Sequence, residues 1–71
     1  MASRIALHTD ESYRDEDGFW VIAVEEGTAG YSRLNVWPTL EAAQRYAADT
    51  NSQAGITDDD RRAILASSIA A

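Results

Sequence analysis

The chain has 71 residues, no cysteine, no lysine and a formal charge of −6, from six arginines against twelve acids. That is the length of one domain, expected over 1–71, with a core too small to surround a deep catalytic cleft. The missing residues exclude disulfides, zinc–thiolate and iron–sulfur sites, thiol catalysis and amine chemistry on lysine, and the charge repels nucleic acid and anionic membranes while attracting basic protein surfaces.

Ser3 to His8 alternates, with Ile5 and Leu7 on one face and Arg4 and His8 on the other. This predicts a half-buried strand continuing toward Tyr13 with a break near Asp10-Glu11. Asp15-Glu16-Asp17-Gly18 follows, and Asp-Gly between strand-like runs signals a tight hairpin because glycine accepts positive φ. Phe19 to Val24 is apolar on both faces and predicts the central strand, with Glu25-Glu26 emerging into water. Gly27-Thr28-Ala29-Gly30 is a second turn. Tyr31 to Trp37 alternates again, Leu34 and Val36 opposing Arg33 and Asn35, until Pro38, which cannot donate to a ladder, stops it.

The second half is alanine-rich and helical in period. Thr39 predicts an N-cap for a helix through about Asp49, with Leu40, Ala43, Tyr46 and Ala47 on one face. Asn51 to Gly55 is expected to break it. Thr57 then caps a second helix whose first turn holds Asp58, Asp59 and Asp60, where carboxylates favour the helix dipole. Ile64, Leu65, Ser68 and Ile69 form its inward face, and Ser67 to Ala71 is expected to fray. The expected fold class is α+β: a three-stranded antiparallel meander followed by two short helices, βββαα.

Few residue patterns carry chemistry. Asp15, Asp17 and Gly18 fit the third, fifth and sixth places of a calcium loop, but the first and twelfth places fall on Tyr13 and Val24, which cannot serve, so no metal is expected. His8 is the single histidine and has no triad motif around it. Asp10-Glu11 and Glu25-Glu26 are paired carboxylates, yet acid–base work requires burial that a small sheet does not give. The Gly27–Gly30 turn has no lysine after it and no helix start, so it is no phosphate loop. Phe19, Trp20, Tyr31 and Trp37 could stack bases, but such platforms sit in basic grooves. Arg61-Arg62 could touch DNA, but three aspartates directly precede them. The chain is therefore expected to have no enzymatic activity, no cofactor, no direct nucleic-acid contact and no membrane contact. The apolar run at the N-terminus is too short for a secretory signal and no stretch reaches a membrane span, which predicts a cytoplasmic protein.

The informative feature is where the charge lies. Residues 10–26 hold Asp10, Glu11, Asp15, Glu16, Asp17, Glu25 and Glu26 against Arg14 alone, and the rest of the chain is neutral overall. Seven carboxylates on one hairpin, expected to lie a few ångströms apart, approach the charge density of a duplex. The plain alternative is a solvated turn that keeps a small protein soluble.

The stretch from Asn51 to Ser68, with Gly55-Ile56-Thr57 leading to Ile64 and then Ser67-Ser68, resembles the tails of small phage-encoded proteins. With its acidic surface the chain is similar to anti-CRISPR proteins that act as DNA mimics. The resemblance implies an inhibitor that binds the DNA-reading surface of a Cascade-type complex in the host bacterial cytoplasm, acting as a monomer or weak dimer. The contact residues expected from the charge distribution are the seven acids of the hairpin. The alternatives are a small phage regulator or a protein-interaction module that uses an apolar sheet face or the helix pair.

Overall fold

The structure, a computed structural model, describes residues 3–68. Ile69, expected on the inward face of the second helix, and the end of the tail expected to fray lie outside the described residues. The fold is α+β, an antiparallel sheet with two helices: β1 (Ile5–His8), β2 (Arg14–Asp15), β3 (Gly18–Glu25), β4 (Ser32–Trp37), α1 (Leu40–Gln53) and α2 (Asp58–Ser68). β3 is central. β1 pairs with its second half, from Ile5↔Glu25 to His8↔Ile22, and β2 with its start, Arg14↔Phe19 and Asp15↔Gly18. β4 pairs along its other side. The sheet thus has a fourth, two-residue strand beyond the three expected. It arises where the first strand breaks: Asp10 caps a 3-10 turn over Glu11–Tyr13, and the chain rejoins the same edge as β2.

Both faces of β3 are covered, which is why its run is apolar throughout. Ile22 and Val24 point with Ala6 toward Ile64 of α2, and Ile22, Val24, Ala6 and Ile64 are fully buried. Val21 and Leu7 point the other way, toward Ala43 and Ala47 of α1, with Phe19, Trp37 and Tyr46 packed around them. Fully burying an aliphatic side chain of this kind contributes about 1.5–3 kcal/mol. The two helices therefore straddle the sheet, and the chain linking them passes the free side of β1.

The caps are as the sequence reads. Thr39 Oγ1 accepts from Ala42 N at 3.1 Å. Thr57 Oγ1 accepts from Asp60 N while Asp60 Oδ2 accepts from Thr57 N, both at 3.1 Å, a reciprocal capping box. The end of α1 departs from expectation. The helix runs through Asn51 to Gln53 and stops at Gly55, whose φ is +76°. Asn51 stays helical because its side chain is held elsewhere. Asn51 Oδ1 accepts from Leu7 N and Asn51 Nδ2 donates to Leu7 O, each at 2.8 Å. One amide side chain thereby satisfies both outward backbone groups of β1 at Leu7. On β4 the alternation also fails: a bulge opposite Val21/Ile22 inserts Leu34, and Leu34 and Val36 stay 49% and 37% exposed.

Candidate functional site

The structure separates the seven acids rather than gathering them. Glu25 and Glu26 stand at one end of β3 and Asp15–Asp17 at the other, ~23 Å away over eight residues. Asp10 and Glu11 lie between, at the break in the β1/β2 edge. The expectation of a spacing of a few ångströms across the hairpin does not hold between the two ends of β3. An eight-residue strand keeps its ends apart.

Four of the seven are tied down, Glu25 by the Thr28 hydroxyl, which donates to its Oε1 at 2.9 Å. Asp10 Oδ1 accepts from Ser12 N, and Asp10 Oδ2 lies 3.0 Å from His8 Nε2. Burial pushes the Asp10 carboxyl up, but the hydrogen bonds from Ser12 and His8 outweigh it and leave it below its usual range. Asp15 accepts from Asp17 N and from the Trp20 indole, each at 2.8 Å, and lies 3.5 Å from the Arg33 guanidinium. The Asp17 amide, then Trp20 and Arg33, lower its carboxyl against an opposing push from desolvation. Glu26 pairs with Arg4 at 2.6 Å, and the same guanidinium reaches Asp60 at 2.9 Å, joining the start of β1 to the first turn of α2.

Outside the seven, arginines pair with three more acids. Arg45 pairs with Glu41, Arg61 with Asp58 and Arg62 with Asp59. Arg14, with no ion pair among the described residues, lies over the Phe19 ring at 5.6 Å. The carboxylates paired with neither an arginine nor His8 among the described residues are Glu11, Glu16, Asp17, Glu25 and Asp49. Glu16 and Asp17 project together from the β2–β3 turn, and Glu11 stands on the same edge.

The Arg4 network gives a pH prediction. The Arg4 hydrogen bond lowers Glu26, and the Thr57 amide, followed by the Thr57 hydroxyl and Arg4, lowers Asp60. Groups held below their unfolded values contribute stability that is complete above about pH 4 and is lost as pH falls through the folded values. Urea midpoints should therefore drop from pH 5 to pH 3. The drop should be smaller in Arg4→Gln, and an equal drop in both would remove the network as its cause.

His8 is more enclosed than an edge-strand histidine suggests. It lies on a cleft of about 510 Å³ between the end of α1 and the start of α2, lined also by Leu7, Ala47, Asn51, Ile56 and Arg61. Arg61 reaches His8 Nδ1 at 3.0 Å. A guanidinium only donates, so Nδ1 accepts and the ring proton sits on Nε2, facing Asp10. Both ring nitrogens are engaged, and no hydroxyl is bonded to either among the described residues. The ring acts as a link between β1 and α2, with the geometry of a spacer rather than of a general base. Among the described residues no three acidic or histidine side chains converge on a metal position, and no helix is long and apolar enough to cross a membrane.

Sequence reasoning missed Asn51, Arg4 and Arg61 as organising residues. Each acts on a partner more than twenty positions away, which no local pattern reveals. No family model, no curated protein and no solved structure matches this chain.

Proposed function

We propose that this chain is a non-catalytic inhibitor that docks its acidic β2–β3 turn on a basic, nucleic-acid-reading protein surface. In its most specific form it is a phage anti-CRISPR protein that blocks target-DNA recognition by a Cascade-type complex in the host cytoplasm. The observation that supports this reading is the distribution of unpaired charge. Ion pairs take up five of the six arginines, and the surplus carboxylates Glu11, Glu16 and Asp17 fall on one edge of the sheet. Asp15 holds the β2–β3 turn in shape and Asp10 the 3-10 turn before it, so the contact is assigned to the free acids and the scaffold to the bonded ones.

The test is target-duplex binding by a purified Cascade-type complex with and without the protein. The triple reversal Glu11→Arg, Glu16→Arg and Asp17→Arg should lose inhibition by about 30-fold or more, since desolvated charge pairs cost 2–5 kcal/mol when broken. Its melting temperature should stay near that of the parent, because exposed substitutions usually change stability by less than about 0.5 kcal/mol each. Asp49→Arg on α1 should inhibit normally, and rising salt should weaken the parent. Full inhibition by the triple variant, or none by the parent, overturns the reading.

A further inference from the structure

One outer edge of the sheet is covered at Leu7, though not at Ile5, and the other has no side-chain cover. On β1 the outward backbone groups of Leu7 are closed by Asn51. By the alternation of an antiparallel ladder, Trp20 faces the β1/β2 side, where its carbonyl accepts from Thr9 Oγ1. Phe19 and Val21 then bond Trp37 and Asn35, and Val36 between them turns its N–H and C=O outward. Among the described residues no side chain and no turn or loop backbone group bonds to them. An open edge of this kind is a template for another strand.

The surface around that edge is built for contact. Tyr31, Leu34 and Val36 are 50%, 49% and 37% exposed, and with Ile5 they are the large apolar side chains most open to solvent. Val36 pairs with Trp20, on the sheet face that α2 covers chiefly over β1 and β3. Trp20 is fixed there by Asp15 on its indole nitrogen and by Arg33 over its ring at 5.1 Å. A rigid tryptophan with its polar atom already bonded is a low-entropy anchor. Residues 27–40 carry no carboxylate, while Glu16 and Asp17 project from the turn beside the Trp37 end of β4.

We propose that the open edge of β4 receives an extended basic segment of the partner as an added strand. Trp20 and Val36 form its apolar floor, and Glu16 and Asp17 take its cationic end. The partner's charge rests on the docking reading above; the mode of addition rests on the free Val36 groups. A net −6 on each copy disfavours a second molecule of this chain as the occupant. The bulge at Leu34 and Pro38 confine the addition to a short stretch centred on Val36, so main-chain pairing supplies register and the acids supply attraction.

The probe is a decapeptide alternating arginine and valine, titrated into the isotopically labelled protein and followed by NMR. Amide shifts should centre on Leu34, Val36 and the Trp20 indole, with slowed exchange at Val36 N–H. Two further peptides carry N-methyl groups on alternate residues, one on each set. An added strand bonds β4 through one set alone, so one peptide should bind about tenfold more weakly and the other like the parent. A glutamate–valine peptide should not bind. Equal binding by both methylated peptides, or shifts confined to Glu16 and Asp17, overturns strand addition. So does a Val36 amide that is already protected and shifts with protein concentration alone, which assigns the edge to a second copy. Charge reversal that abolishes Cascade inhibition alongside such a result keeps the docking reading and removes only this one.

Discussion

Asn51→Ala should lower the unfolding free energy by about 3 kcal/mol or more, because each buried polar group left unpaired costs about 1–3 kcal/mol and the variant orphans two. Asn51 is 5% exposed, and its amide reaches Leu7 N and Leu7 O at 2.8 Å each. A core of this size rarely supplies more than about 3–5 kcal/mol net, so the variant should keep at most about 2 kcal/mol at room temperature. Asn51→Asp should be no better: it keeps an acceptor for Leu7 N–H, but it sets an anion against Leu7 C=O with no donor between them. Urea denaturation followed by circular dichroism reads both. A change below about 0.5 kcal/mol in Asn51→Ala would mean that water replaces the amide without loss.

Gly18→Ala should be nearly as damaging, at about 3 kcal/mol. Gly18 has φ +134°, a region that side chains rarely enter and that costs about 1–3 kcal/mol. A methyl group there would also strike the Trp37 carbonyl oxygen and press Val36 Cγ2 at 3.3 Å. The obstructing atom is backbone in the neighbouring strand, so relief requires β3 and β4 to separate. Gly27→Ala isolates the dihedral effect, since its φ is +80° and nothing lies within 4 Å of an added Cβ. It should cost about 1–2 kcal/mol. Equal melting temperatures for the two variants would remove the steric part of the argument.

The strand order and the caps were legible because they depend on neighbouring residues. Phe19 to Val24 has no polar face to give to water, so it had to be central. Asp-Gly set the first hairpin, and Thr39 and Thr57 set both helix starts. The end of α1 was not legible. An asparagine four residues before Gly55 reads as a helix stop unless Leu7, 44 residues away, is known to claim its side chain. The bulge at Leu34 left no trace in an alternating pattern. For the candidate site, the sequence placed the excess charge on residues 10–26. It did not show which acids were consumed by Ser12, Trp20, Arg33 and Arg4, and that division separates the scaffold of the acidic surface from its free charge.

The straddling helices have a consequence for how the chain is made. The strand synthesised first, β1, is held by α1 through Asn51 and by α2 through Arg61 on His8 and Asp60 on Arg4. These groups are synthesised 44 to 56 residues after the partners they hold. A nascent chain that has completed all four strands still carries an open β1 edge and two bare sheet faces. Until α1 and α2 have emerged, both edges of its sheet are open to pairing with other chains.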